Sequence, residues 1–285
     1  MKKNLIKNIS NTFNFFNEQD FFNKFITSDI LSFLKKIKNE TFDLIITSPP
    51  YNKNEKNNGI LVKKIIYDNY KDKINEKEYQ EWQINVLNEI YRTSKFGSSF
   101  FYNHRIRYEL GKIIHPFEWL KKTKWRIRQE IIWNRNIAGN IRGWRFWPIE
   151  ERIYWLYKPF HEKDKGQELK PRHALLTSIW NIRPESRNKG HPSPFPIEIP
   201  LRIIFSLFDD QKNKLIFDPF GGSGTTAIAT KLLGHNYCSI DISDNYTLLS
   251  QKRFNQLNSF KNKFDQEVKF HVVKKTYQER KKEKK

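Results

Sequence analysis

The chain has 285 residues, of which 38% are hydrophobic and 15% aromatic, which suffices for one large domain with a sizeable core and argues against global disorder. Its 52 Lys and Arg against 31 Asp and Glu leave a net charge of +21, which favours a polyanionic partner such as nucleic acid, although an AT-rich genome also enriches lysine. The sequence has no apolar run long enough to cross a bilayer and no signal-peptide pattern at its start, so we expect a cytoplasmic protein.

The first strong strand signal is the apolar run from Phe42 to Thr47, which leads into TSPPYN. Sequence rich in Asn and Lys follows from Lys53 to Asn75 and indicates a basic loop. A helix comes next, with Asn75 and Glu78 as its cap and Gly97 as its end. Its apolar face consists of Tyr79, Trp82, Val86, Leu87 and Ile90. The segment SSFFYN then predicts another strand.

The stretch 121–158 is dense in Arg and Trp. Within it, QEIIWN and ERIYWLY predict buried strands, and NIAGNIRGW predicts the loop between them. Tryptophan is more often a core residue than a base-stacking one, so we expect most of this group to be buried: Trp133, Trp144, Trp147 and Trp155. Arg135, Arg142 and Arg145, near glycines, are the expected contacts to phosphate or guanine. Prolines and charges predict irregular connections over 159–200.

The last third of the domain reads as a helix (Leu201 to Phe208), a strand (KLIFDPF), a glycine turn, a helix (TAIATKLLG) and a strand (NYCSIDI). Strands that alternate with helices predict an α/β fold with a mostly parallel sheet covered on both faces. We expect a single domain over residues 1–260, with a basic insert at about 105–180, and a basic, partly disordered tail over 261–285. The lone Cys238 excludes an internal disulfide and should be a small core residue.

The glycine turn FGGSG joins a strand directly to a helix. Glycines permit a tight turn and let a ligand approach backbone N–H groups, although a purely structural turn has the same composition. Asp241 ends the next strand 17 residues after Gly224, near the spacing of a carboxylate that holds ribose hydroxyls. The turn lacks the lysine of a P-loop, and Thr225 and Thr226 stand where GxGxxG has its last glycine. The pattern therefore favours a nucleoside site over nucleoside triphosphate hydrolysis or dinucleotide binding.

The loop Ser48-Pro49-Pro50-Tyr51 follows the strand at Phe42 to Thr47, where α/β sheets place active residues. Two prolines rigidify the backbone, although a surface turn with two prolines is also common. The Ser48 hydroxyl and the Pro49 carbonyl could accept both N–H bonds of an exocyclic amine, which frees the nitrogen lone pair for methyl transfer. Tyr51 could stack on a base extruded from a duplex.

Together these motifs resemble the amino-methyltransferase family of DNA methyltransferases, which has a [DNS]PP[YF] catalytic loop and an FxGxG cofactor loop. In this chain they are Ser48 to Tyr51 and Phe220 to Gly224, in the permuted order called the beta class. The segment SDIL with Asp29 resembles the family's short acidic motif, and HPSPFPIEIPLRII and WPIEERIYWLYK resemble further family segments. The resemblance implies a Rossmann-like S-adenosylmethionine methyltransferase fold in circularly permuted form.

The resemblance also implies that Ser48, Pro49, Pro50 and Tyr51 bind the target base. The residues it implies for S-adenosylmethionine are Asp29, Asp218, Phe220, Gly222, Gly224, Thr225 and Asp241. The implied partners are double-stranded DNA and, in a restriction-modification system, a cognate endonuclease; many relatives are homodimers. TSPPY after an aliphatic residue resembles the cytosine-N4 signature, but some adenine-N6 enzymes also carry serine, so both targets stay open.

Two other functions fit parts of the pattern. An RNA or protein amino-methyltransferase could share the fold, although the Arg- and Trp-rich insert favours nucleic acid over protein. A non-catalytic DNA-binding module could also keep the fold, but the intact Ser48, Tyr51 and glycine turn argue against it. The histidines, including His104 and His191, lack metal-ligand spacing, and we expect no metal site.

Overall fold

The computed structural model describes residues 15–52, 74–138, 143–170, 172–173, 176–185, 196–275 and 277–283. Arg142, His191 and most of the expected basic loop from Lys53 to Asn75 lie outside these residues. The strands are β1 Lys24–Thr27, β2 Phe42–Thr47, β3 Ser94–His104, β4 Arg107–Glu109, β5 Lys112–Ile114, β6 Arg126–Asn134, β7 Glu150–Tyr157, β8 Ile179–Asn181, β9 Leu215–Asp218 and β10 Asn236–Asp241. The helices are α1 Glu18–Phe21, α2 Ile30–Leu34, α3 Glu76–Thr93, α4 Phe117–Leu120, α5 Glu198–Phe208, α6 Thr225–Leu232, α7 Asp244–Phe254, a 3-10 helix Leu257–Phe260, α8 Lys261–His271 and α9 Tyr277–Glu283.

The main sheet has eight strands in the order β1-β10-β9-β2-β3-β7-β6-β8. All neighbours pair in parallel except β7, which is antiparallel to both β3 and β6. β4 and β5 form a separate antiparallel hairpin. The prediction of a mostly parallel sheet is confirmed.

Hydrophobic cores cover both faces of this sheet, because alternate side chains of a strand point to opposite sides. On β2, Ile45 belongs to the core formed with α2 and α3, whereas Leu44 and Ile46 belong to the core formed with α5 and α6. Cys238 of β10 is buried in the first core, as predicted. Among the residues that the structure describes, no helix combines the length and apolar character needed to cross a membrane.

The helix α3 begins at the predicted cap, where the Asn75 side chain accepts a hydrogen bond from the Lys77 amide. Its end differs from the prediction, since the helix stops at Thr93 and strand β3 starts at Ser94. The Ser94 hydroxyl bonds back to the Ile90 carbonyl and ends the last turn. The predicted stop at Gly97 is therefore wrong, because that glycine lies inside β3.

Packed structure continues beyond residue 260, where the tail was expected to begin. Helix α8 places Phe264, Val268 and the following Val272 against the core that includes α5. Arg202 of α5 also pairs with Glu267 of α8 at 2.9 Å. The apolar residues sit four apart among many lysines, and this sparse helical stripe is easily mistaken for a solvated basic run.

The four tryptophans that were expected to lie mostly in the core divide into two pairs. Trp133 on β6 and Trp155 on β7 are buried in the sheet, as expected. Trp144 and Trp147, however, are 52% and 55% exposed in the loop between those strands. The expectation that most of the four lie in the core is wrong for this second pair, because a loop beyond the strand ends cannot reach the core.

Candidate active site

The candidate site residues gather along the carboxyl edge of the parallel strands, where α/β sheets bind ligands. Asp29 follows β1, Asp241 ends β10, Asp218 ends β9 and Ser48 follows β2, and these four strands are consecutive neighbours. The Thr47 hydroxyl donates to an Asp218 carboxylate oxygen at 2.6 Å. The glycine turn and the Pro-Pro loop, far apart in sequence, therefore meet at adjacent strand ends.

The glycine turn lies tightly against β10. The Gly221 amide donates to the Ile240 carbonyl at 2.7 Å, and a Cβ on Gly221 would stand 2.0 Å from the Ser239 hydroxyl oxygen. Gly222 and Gly224 have φ of +51° and +75°, a left-handed conformation that favours glycine. These glycines are required by the backbone path, which packs the turn closely against β10 at the strand ends.

Two acidic residues flank the turn on neighbouring strands. The Asp241 carboxylate accepts the Gly222 amide at 2.8 Å and the Ser243 amide at 2.9 Å. Asp29 caps α2 by accepting the Ser32 amide at 2.9 Å. These hydrogen bonds fix the orientation of both carboxylates at the strand ends.

Asp218 is buried at the end of β9, and burial raises its pKa to about 6. Hydrogen bonds from Thr47, Thr226 and the Phe220 amide oppose this rise in pKa, and the neighbouring Asp241 charge adds to it. A carboxylate in such a position is stabilised by any cationic ligand that approaches it.

Phe220 and Thr225 border the same turn but face different surroundings. The Phe220 ring is half-buried and meets Trp82 of α3 edge-on at 5.7 Å between centroids. Thr225 is buried, and its hydroxyl accepts a hydrogen bond from Arg253 of α7 at 3.0 Å. In this structure Thr225 therefore supports the turn from the inside.

The Pro-Pro loop rests on a network of polar side chains. The Ser48 hydroxyl oxygen lies 2.6 Å from the Tyr51 hydroxyl, which donates to Glu151 of β7 at 3.0 Å. The Asn103 amide nitrogen, on β3, lies 2.6 Å from the Tyr51 oxygen and 3.2 Å from the Ser48 oxygen. Tyr51 is only 3% exposed, so the network is screened from solvent.

Further contacts hold the Pro-Pro loop at the Pro50 carbonyl and at Asn52, which follows Tyr51. The Tyr79 hydroxyl donates to the Pro50 carbonyl at 2.8 Å and lies 2.7 Å from the His104 Nε2. The Asn52 side chain accepts the Ile74 amide at 2.8 Å. The loop is consequently pinned by α3 and β3 as well as by its own prolines.

Arg135 and Arg145, the two described members of the three arginines expected to contact DNA, do not form a simple exposed patch. Arg135 pairs with Glu151 at 3.3 Å and its side chain is only 13% exposed, so it lies beneath the Pro-Pro loop. Arg145 lies over the rings of Tyr108 and Trp144, at 5.1 and 5.5 Å from their centroids. Arg142 lies outside the described residues.

Sequence reasoning missed three residues of this site, namely Tyr79, Asn103 and Glu151. The sequence pattern places Tyr79 on the apolar face of α3 and does not indicate a hydrogen-bond partner for its hydroxyl. Asn103 lies near the end of β3, and Glu151 lies near the start of β7. A polar residue at the end of an apolar strand is the local feature that could have indicated a role in the site. The partners of Asn103 and Glu151 in the Pro-Pro loop lie 52 to 100 positions away, which no local pattern reveals.

The geometry defines a class: an α/β enzyme with a nucleoside-type turn beside a rigid loop of hydrogen-bond acceptors. Within this class, the family described as DNA methylase, with N6 and N4 members, matches residues 42–252. The chain belongs to this amino-methyltransferase family, whose members use S-adenosylmethionine, and is a DNA methyltransferase of the beta class.

Similar proteins agree with this assignment. The chain is 29% identical over 263 residues to the type II methyltransferase M.HinfI of Haemophilus influenzae, covering 85% of this chain and 70% of that protein. It is 27% identical to M2.DpnII of Streptococcus pneumoniae, covering 82% and 90% of the two chains.

Solved structures share the fold. The PvuII DNA methyltransferase, described as cytosine-N4-specific, superimposes with a TM-score of 0.64 at 19% identity over 84% of this chain and 91% of that one. TTHA0409 of Thermus thermophilus, solved with S-adenosyl-L-methionine, gives a TM-score of 0.58 at 20% identity over 82% and 95%. The prediction of a Rossmann-like methyltransferase fold is confirmed.

Proposed function

We propose that this chain methylates the exocyclic amino group of a base in a specific double-stranded DNA site, with cytosine N4 as the target, within a restriction-modification system. The observation that carries the proposal is the 2.6 Å hydrogen bond from Thr47 to Asp218, since it fixes the two motif loops side by side. A cognate endonuclease and a second copy of the chain are the partners we expect.

The glycine turn fits S-adenosylmethionine. A Cβ at Gly221 would collide with Ser239, so glycine lets the turn lie tightly against β10 at the strand ends, where α/β sheets bind nucleosides. We assign the cofactor to residues around this turn, namely Asp29, Asp218, Phe220, Gly222, Gly224 and Asp241, with Thr225 as the buried residue that supports the turn from the inside. When bound, S-adenosylmethionine supplies an electrophilic methyl group on a sulfonium. Asp218 suits the positive charges of this cofactor, and Asp241 suits ribose hydroxyls.

The Pro-Pro loop fits an exocyclic amine. The Ser48 oxygen and the Pro49 carbonyl are acceptors for its two N–H bonds, which shifts electron density towards the nitrogen lone pair. Pro50 stiffens the backbone that follows the Pro49 carbonyl. The Tyr51 hydroxyl stays bonded to Ser48, and its ring, which packs on His104 and is 3% exposed, supports the base site from behind. Most of the rate then comes from positioning and preorganised electrostatics.

The loop between β6 and β7 suits contact with DNA. It leaves the sheet at the same edge as the Pro-Pro loop, and the Arg135 amide bonds to the Ile149 carbonyl to close its base. Phe146 in the second half of this loop is fully exposed, beside the half-exposed Trp144 and Trp147. Apolar wedges among basic residues are a known way to hold a distorted duplex. We assign Arg142 and Arg145 to backbone or base contacts, and Arg135 to the base of this surface.

Mass spectrometry of nucleosides tests the proposal. Purified protein is incubated with S-adenosylmethionine and unmethylated plasmid DNA, which is then digested to nucleosides. We expect N4-methylcytosine, separated from its C5 isomer by retention time. N6-methyladenine would keep the amine mechanism but overturn the cytosine assignment. Absence of any methylated nucleoside, across DNA of varied sequence, would contradict the proposed function.

A further inference from the structure

We propose that Glu151 is a positioning residue that acts through Tyr51 to make the Ser48 hydroxyl an acceptor for the target amine. The inference rests on the proposed role of Ser48. It follows from the direction of the hydrogen bonds in the network beneath the Pro-Pro loop.

Hydrogen-bond donors surround the Glu151 carboxylate. One carboxylate oxygen lies 3.3 Å from the Arg135 guanidinium, and the other lies 3.0 Å from the Asn103 amide nitrogen. Both neighbours are donors only, and the Tyr51 hydroxyl donates to Glu151 as well. Three donors favour the ionised carboxylate, which can only accept.

The direction of the Ser48–Tyr51 bond follows from that charge state. A tyrosine hydroxyl has one proton, and the Tyr51 proton is directed to Glu151 at 3.0 Å. The 2.6 Å contact between the hydroxyls of Ser48 and Tyr51 can therefore be made only if Ser48 donates. The Ser48 proton then points into the protein.

This orientation determines what Ser48 offers to a substrate. With its proton committed to Tyr51, the Ser48 oxygen has only lone pairs left. Asn103 lies within reach of one lone pair, at 3.2 Å, and the other is available to the half-buried face of the loop. A serine without this support can rotate its hydroxyl and present a proton to the amine, which would leave the nitrogen lone pair less available.

Burial makes the arrangement durable. Glu151 is 4% exposed and Asn103 is 1% exposed, so water does not compete for their hydrogen bonds. A buried ion pair is a weak source of stability, because its desolvation offsets much of the attraction. A role in orienting Ser48 therefore explains the buried Arg135–Glu151 ion pair better than a contribution to stability does.

A double-mutant cycle tests the inference. The variants are Glu151→Gln, Tyr51→Phe and their combination, measured under single-turnover conditions with saturating S-adenosylmethionine. The Gln amide can donate to Tyr51 and release the constraint, and Phe removes the hydroxyl that receives the Ser48 proton. We expect each single variant to lower the rate constant by about ten-fold, the scale of one charge-assisted hydrogen bond. The double variant should lose no more than the stronger single variant, because both act on Ser48. Cofactor affinity should stay unchanged.

Glu150→Gln is the matched control, since Glu150 lies next to Glu151 on β7 and pairs with Arg152. We expect this variant to keep the wild-type rate. Multiplying losses in the double variant, or a wild-type rate in Tyr51→Phe, would overturn the inference. If Glu151→Gln fails to fold or to bind cofactor, the rate constant of Tyr51→Phe alone decides the test. A wild-type rate in Ser48→Ala would instead contradict the proposed role of Ser48, so the two failures are distinguishable.

Discussion

The two loops of the active site lie on neighbouring strands but are built in different ways. The glycine turn after β9 depends on its own backbone, with left-handed Gly222 and Gly224 and no room for a Cβ at Gly221. The Pro-Pro loop after β2 depends on side chains from distant segments. These are Tyr79 on α3, Asn103 on β3 and Glu151 on β7. One loop is therefore sensitive to added bulk, and the other to the loss of single polar atoms.

Gly221→Ala should give the largest effect on the cofactor side. The new Cβ would meet the Ser239 hydroxyl at 2.0 Å and the Ile240 carbonyl at 3.3 Å, so the turn must shift away from β10. We expect S-adenosylmethionine affinity to fall by about 100-fold, and the free energy of unfolding to fall by about 1–3 kcal/mol. Calorimetric titration and thermal unfolding measure these changes.

Gly143→Ala is the control for this variant, because nothing lies within 4 Å of a Cβ at Gly143. It should leave both quantities unchanged. Normal cofactor binding by Gly221→Ala would show that the turn tolerates displacement, which contradicts a cofactor surface defined by its backbone.

Asp218→Asn should have an intermediate effect on S-adenosylmethionine affinity and should change how that affinity depends on pH. With a pKa of about 6, the wild-type carboxylate becomes protonated as the pH falls from 7 to 5. A cationic cofactor loses its partner in that interval, so we expect wild-type affinity to fall by about ten-fold between those pH values. The Asn variant should bind at the weaker level throughout, with no pH dependence. Titrations at several pH values check this, and equal pH profiles would contradict the assignment of Asp218.

The same substitution should remove a pH dependence of stability. The folded-state pKa of Asp218 lies above its unfolded value of about 4, so folding favours the protonated form. The stability that protonation provides is present below pH 4 and is lost as the pH rises through about 6. Asp218→Asn lacks this titration, so between pH 4 and pH 7 the free energy of unfolding of the wild type should fall by about 2 kcal/mol relative to that of the variant. Denaturant titrations at both pH values check this, and parallel pH profiles would contradict the expectation.

The tryptophans of the insert should give the smallest effect on activity. We expect Trp144→Ala with Trp147→Ala to weaken DNA binding by about five-fold and to leave thermal stability unchanged, since both side chains are half-exposed. Trp133→Ala should instead lower the free energy of unfolding by about 3–5 kcal/mol, because that ring is buried on β6. DNA titration by fluorescence anisotropy checks the first expectation. Unchanged DNA affinity in the double variant would show that these two rings of the loop between β6 and β7 do not contribute to DNA binding.

The same contrast explains what could be predicted from the sequence. The glycine turn, Asp241 and the strand before Ser48 were predicted correctly in place, because local composition determines a turn and a buried strand. The parallel sheet followed from the alternation of strands and helices. Residue roles that depend on long-range pairing were not predictable. Glu151 lies 100 positions from its partner Tyr51.

Exposure in the basic insert was predictable for the rings but not for Arg135. Trp133 lies in the predicted strand QEIIWN, whereas Trp144 ends the predicted loop NIAGNIRGW and Trp147 follows it, so the strand end separates buried rings from exposed ones. Arg135 pairs with Glu151, which lies on the next strand, β7, and no local pattern shows this contact.

Single-turnover methyl transfer by Ser48→Ala, together with its S-adenosylmethionine affinity, tests most directly whether the two loops have separate tasks. Protein in excess of sites on unmethylated DNA is mixed with saturating labelled cofactor, and label on the DNA is followed with time. We predict a rate constant at least about 100-fold below that of the wild type, with cofactor affinity unchanged, since one acceptor for the amine is lost and the glycine turn is intact. A wild-type rate constant would contradict the role of Ser48, and a parallel loss of cofactor affinity would contradict the division of tasks.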